Sequence, residues 1–164
     1  MKRTTPTSTH KKVVVVSEDG TPLKGYLNPT GLPSAETIDL LTPDGEHKQI
    51  AVSAIKAIYF VADLNQSYEP QRTVFLSRPK LEGLWLRLTF RDRQIMEGIS
   101  SNELLEAVDR GVQFVPPDLH GNCLRMFVPR AALTEVKVLG VVGPVKRPAR
   151  PAAAVPDQPR LFSE

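Results

Sequence analysis

One cysteine in 164 residues, Cys123, cannot form an internal disulfide or a thiolate-rich metal site, so nothing here asks for an oxidising compartment. Long apolar runs are also scarce at the N-terminus. The basic stretch from Met1 to Lys12 leads into only four consecutive apolar residues, too few for a signal-peptide core or a membrane span. The expected location is cytoplasmic, with no membrane partner. No glycine-rich phosphate loop, serine-centred elbow or pair of catalytic carboxylates is present. The chain therefore reads as a non-enzyme with no cofactor. Aromatic residues are few, at 6%, against 15 prolines, which implies many turns and some unfolded chain.

Positive charge is likewise missing from the body. The net +3 divides into +6 for residues 1–12 with 140–164 and −3 for residues 13–139. A nucleic-acid-binding barrel carries its basic footprint on the folded body. Here residues 13–70 hold only Lys24, Lys48 and Lys56 against eight acids, while 71–139 hold ten bases against eight acids. Any phosphate contact belongs to the second half, and nucleic-acid binding is expected to be weak and dependent on the tails.

What the sequence does have is a doubled unit. Val13 to Gly25 reads V-V-V-V-S-E-D-G-T-P-L-K-G, and Leu86 to Gly98 reads L-R-L-T-F-R-D-R-Q-I-M-E-G. At an offset of 73, Val13 matches Leu86, Val15 matches Leu88, Asp19 matches Asp92, Leu23 matches Met96 and Gly25 matches Gly98. Each copy is a hairpin with Asp in its turn and a Gly where the backbone must bend or be approached closely. Around these hairpins, alternating patterns and turn residues predict strands near Val13–Val16, Leu23–Leu27, Thr37–Leu41, His47–Val52 and Ala57–Val61. They recur near Leu84–Phe90, Gln94–Gly98, Gly111–Val115, Leu124–Val128 and Leu133–Leu139. Ser53–Lys56 suits a short helical turn. Ser100 and Glu103 form a capping-box spacing ahead of Leu104, Leu105 and Val108, which predicts one short helix in the second repeat.

The fold class expected is mainly β, as two tandem small β-barrel repeats. Residues 1–12 read as a disordered basic tail, 13–61 as the first repeat, 62–83 as a connector with a strand at Thr73–Leu76, 84–140 as the second repeat, and 141–164 as a disordered tail rich in Pro, Ala and Arg. The pattern V-x-V-x-x-x-D-G-x-x-L-K-G, followed later by I-A-V-S-A-I-K-A-I-Y-F-V, resembles an uncharacterised family of bacterial domains that occur in pairs and are similar to Sm-like and SH3-like small barrels. The resemblance spans roughly residues 12 to 140 and implies a fold and a bacterial origin. In the second copy Arg93 replaces the turn Gly and Glu97 the Lys. Oligouridine binding by Sm proteins does not carry over, because no Arg-Gly step follows the fourth strand.

Several side-chain groupings invite a chemical reading. His47 lies near Asp44 and Glu46, and His120 near Asp118, but no third ligand stands at tetrahedral spacing. Cys123 lies three residues from His120 without an orienting third group, so it reads as a loop thiol. Arg87 and Arg91 are candidate anion or phosphate contacts. Their spacing is that of the arginine pair in PilZ barrels that bind cyclic dinucleotides, but the acid or Asn followed by Ser and Gly is absent, and a solvated strand face is the plainer reading. Trp85 reads as a core or interface residue.

The tail ends in Gln158-Pro159-Arg160-Leu161-Phe162-Ser163-Glu164. Q-x-x-L-F resembles the peptide with which bacterial replication and repair proteins hook onto the sliding clamp: Leu161 and Phe162 would fill an apolar pocket and Gln158 would hydrogen-bond at its rim. The sequence thus points to a non-catalytic binding or adaptor protein with a protein partner, the alternative being a replication or repair factor tethered to the clamp through this peptide.

Overall fold

A computed structural model describes residues 9–30, 32, 35–101 and 111–143. It is mainly β. Ten strands follow the chain: β1 (Lys11–Ser17), β2 (Pro22–Leu27), β3 (Thr37–Leu41), β4 (His47–Ala51), β5 (Ile55–Val61), β6 (Gly83–Phe90), β7 (Ile95–Ser100), β8 (Gly111–Phe114), β9 (Cys123–Pro129) and β10 (Leu133–Val142). Single 3-10 turns, Val52–Ala54 and Arg130–Ala132, join β4 to β5 and β9 to β10. The helix expected from Ser100 to Val108 lies almost wholly outside the described residues. The connector strand expected at Thr73–Leu76 does not form.

The strands are antiparallel and make two open sheets, ordered β4-β3-β2-β1-β5-β9-β8 and β10-β6-β7. A single bridge between Ile99 and Val115 links β7 to the residue after β8, with N–H···O distances of 3.0 and 2.9 Å. Two tandem five-stranded barrel repeats with one shared or abutting core are the expectation, and the repeats do not close separately. Instead β5 pairs with β9, setting Ile58 against Phe127 and Tyr59 against Met126, so one sheet runs through both halves. The reason lies in β5 itself. Residues 57–61 are buried on both faces, with Ala57, Tyr59 and Val61 in one apolar cluster and Ile58 and Phe60 in the other, and pairing with β9 satisfies the backbone groups along the edge that β1 leaves open.

The four consecutive valines of β1 show how the core is arranged. Val13 and Val15 face Leu27, Ile38, Leu40, Ile58 and Phe60, whereas Val14 and Val16 face Leu86, Leu88, Phe90, Met96 and Phe114. β-Branched side chains suit a strand that must pack on both sides. β1 and β5 therefore stand between two apolar clusters, one under the first half and one shared with the second.

The two hairpin turns close through corresponding hydrogen bonds. Ser17 N–H donates to Thr21 O and Gly20 N–H to Ser17 O; in the second hairpin Phe90 N–H donates to Gln94 O and Arg93 N–H to Phe90 O. Asp19 Oδ1 accepts Thr21 N–H at 2.9 Å, and Asp92 Oδ1 accepts Gln94 N–H at 3.0 Å. Gly20 has φ +88°, and Arg93, in the matching place, is held at φ +72°. A non-glycine residue there costs about 1 kcal/mol or more. The matched glycines of β2 and β7 are close-approach positions: a Cβ on Gly25 would meet Leu41 O at 2.5 Å, and one on Gly98 would collide with the Phe114 ring.

Candidate functional site

The most unusual side chain in the fold is Glu97, a carboxylate only 3% exposed in β7. The hairpin register places it directly opposite Arg87 of β6. Its Oε2 accepts hydrogen bonds from Arg87 Nε at 3.3 Å and Nη2 at 3.0 Å, and its Oε1 accepts Trp85 Nε1–H at 3.0 Å and the backbone N–H of Phe75 at 3.1 Å. Its own N–H donates to Thr73 O at 2.6 Å. Burial alone would raise its pKa. The Phe75 N–H, the Arg87 guanidinium and the Trp85 indole outweigh that and hold the carboxyl below the ordinary range.

Glu97 thereby straps the connector onto the outer face of β6 and β7. Phe75 packs edge-on against Trp85, with ring centroids 6.2 Å apart and planes at 85°. Chain on either side of Phe75 is turned outward. Leu76 is 78% exposed, Val74 and Leu119 are exposed too, and together with Arg72, Arg78 and Lys80 they line a cleft of about 200 Å³. No acidic side chain is among the residues that line it. Arg78 Nη2 donates to Val141 O at 3.0 Å, which joins the rim of this cleft to the end of β10. Sequence reading missed the surface because residues 62–83 carry no periodic pattern; the Val74-Phe75-Leu76 run among prolines and arginines was its only signal.

The anticipated arginine pair is divided. Arg87 is engaged by Glu97, so its charge is largely neutralised, while Arg91 is exposed just past the end of β6, where its backbone N–H donates to Ala132 O at 3.1 Å. Trp85 is half-buried and committed to Glu97 and Phe75. At the junction of the halves, Lys56 Nζ donates to Asp92 Oδ2 at 2.6 Å and Gln94 Oε1 at 2.7 Å, and lies 5.1 Å from the centre of the Phe90 ring. The bond from Lys56 and the Gln94 N–H lower the Asp92 pKa.

Cys123 is buried in β9, and its thiol donates to Arg125 O at 3.4 Å. Burial pushes its pKa up to about 12, the opposite of what a nucleophilic thiolate requires. His120 is exposed, and Asp118 accepts the Gln71 N–H at 3.2 Å. His47 begins β4 and lines a cleft of about 430 Å³ with His10, Tyr26 and Asp39. Among the described residues no three His, Cys, Asp or Glu side chains gather as metal ligands, and no helix is long and apolar enough to cross a membrane. Gln158, Leu161 and Phe162 lie outside the described residues.

The model of a family described as "Family of unknown function (DUF6982)" matches residues 9–140, and the chain belongs to that family. No curated protein and no solved structure matches it.

Proposed function

Starting from membership of a family whose function is unknown, we propose that the chain is a non-catalytic binding or adaptor protein whose halves are two copies of one Sm-like or SH3-like small-barrel unit. The observation that carries the binding reading is the connector surface. Leu76 is 78% exposed on a segment that Glu97 pins in place, beside exposed Val74 and Leu119 and three cations. Apolar side chains displayed together on an anchored segment, with a charged rim, mark an interaction surface. The matching strand order supports the repeat. The first half runs β5-β1-β2-β3-β4, and the second, counting the Ile99–Val115 bridge, runs β10-β6-β7-β8-β9.

The test is Leu76→Ser combined with Leu119→Ser. Both side chains are exposed, so stability should change by less than about 0.5 kcal/mol. Capture by the wild-type chain followed by titration of the purified partner should show binding that the double variant loses. Undiminished binding by the variant, or a catalytic turnover abolished by changing His47 or Cys123, would refute the reading.

The alternative, a replication or repair factor tethered to the bacterial sliding clamp, is supported by the Gln158, Leu161 and Phe162 spacing. A labelled peptide of residues 155–164 should bind the clamp at about micromolar Kd, or about −8 kcal/mol, because a short peptide must be ordered on binding. Alanine at Leu161 and Phe162 should abolish that binding. Absence of saturation at high micromolar clamp rejects this alternative.

A further inference from the structure

The apolar surface of the connector lies where the last strand ends. Val142 closes β10 opposite Gly83, and the preceding carbonyl, on Val141, is held by Arg78. Arg78 also lines the cleft with Val74, Leu76 and Leu119. Residues 144–164 therefore begin at the rim of that cleft. From Gly143 to Leu161 is 18 residues, which span roughly 22–25 Å as a coil and about 56 Å as a polyproline helix, so reach does not limit contact.

The sequence of this segment complements the surface it starts from. Leu161 and Phe162 are its only Leu and Phe, and they stand between Asp157 and Glu164, whereas Lys146, Arg147 and Arg150 are confined to the part nearest β10. The cleft displays apolar side chains under Arg72, Arg78 and Lys80 and has no lining acid. The distal stretch carries two acids, Asp157 and Glu164, against one base, Arg160, so its side-chain charge of −1 is opposite to that of the rim, whereas the proximal stretch carries only bases and starts beside Glu82.

We propose that residues 157–164 of this same chain dock in the connector cleft, with Leu161 and Phe162 against Val74, Leu76 and Leu119 and the flanking acids toward the cationic rim. The fold then covers its own interaction surface, and a partner of either element must displace the other. A short tether sets an effective concentration of order 1 mM, so an intrinsic Kd of about 0.1–1 mM suffices for roughly half to nine-tenths occupancy. The proposal does not require the sliding clamp to be the partner.

The test compares the full-length chain with its Leu161→Ser, Phe162→Ser variant by amide NMR and hydrogen exchange. Wild type should show shifted resonances for residues 74–78 and Leu119, with exchange about 2- to 10-fold slower than in the variant, at the occupancy just given. Neither quantity should change on tenfold dilution. Leu76→Ser with Leu119→Ser, made in the same full-length chain, should abolish the difference. Cleft signals identical in wild type and tail variant would overturn the proposal. So would perturbations that fade on dilution, which would assign the docked segment to a second copy. A tail whose sequence alters the cleft signals but which binds no clamp upholds self-docking and rejects only the clamp alternative.

Discussion

Replacing Glu97 by Gln tests how the connector is held. The side chain of Glu97 is 4% exposed and that of Arg87 41%, so the pair is buried on one side only. Glutamine keeps the shape but has one acceptor oxygen where the carboxylate offers two. It leaves either the Arg87 fork or the Phe75 and Trp85 N–H groups facing an amide donor. Removing one member of a buried pair costs about 3–5 kcal/mol. The exposure of Arg87 lets water take part of that charge, which lowers the expectation to about 2–3 kcal/mol. Urea unfolding followed by Trp85 fluorescence should show the midpoint falling by about 1 M for a slope near 2 kcal/mol/M. The Phe75 amide should exchange faster as the strap loosens.

The pH dependence follows from the sign of the shift. The Glu97 pKa is lowered in the fold from an ordinary value of 4.5, so its stabilisation is fully present above that value and is lost as pH falls through the folded pKa. The gap between wild type and Glu97→Gln should therefore be widest near neutral pH and shrink as the solution becomes more acid than about pH 4. A Glu97→Gln protein within about 0.5 kcal/mol of wild type at pH 7, or a gap that widens in acid, would refute this account of the strap.

Two further outcomes are expected. Because burial pushes the Cys123 thiol up to about 12, a disulfide reagent at pH 8 should label the folded protein only slowly and the urea-unfolded chain at once; rapid stoichiometric labelling of the folded protein would contradict it. Since residues 13–139 carry −3 and the remaining residues +6, oligonucleotide binding should be weak and fall steeply between 50 and 200 mM salt, and neutralising Lys146, Arg147, Arg150 and Arg160 to Gln should weaken it further. Tight binding by that variant at physiological salt would place the contact on the fold.

Much of the local structure was legible because alternation and turn chemistry act over a few residues. The strands on either side of Asp19-Gly20 and Asp92-Arg93 form where expected, and the matched Gly25 and Gly98 are approached closely by their neighbours. In the sequence Glu97 stands out only as departing from the first copy, where Lys24 occupies the matching place. Pairing the hairpin outward from Phe90 and Gln94 would have set it against Arg87, so that ion pair was within reach of the sequence. The bond from Glu97 to Phe75 was not, because it joins residues 22 apart through a segment without periodicity.

The sequence by itself determined the β class, the positions of the ten strands and the allocation of charge to the ends, because propensity, alternation and composition are properties of neighbouring residues. Tertiary structure alone decided which edge β5 would use. The apolar faces of β5 call for packing above and below the sheet but do not name the strand that pairs with its free edge, and only the assembled sheet makes β9 that strand. It likewise decided that Arg87 is held by Glu97, that Cys123 is buried, and that Val74, Leu76 and Leu119 share one surface. Each of those outcomes depends on residues brought together across long stretches of chain.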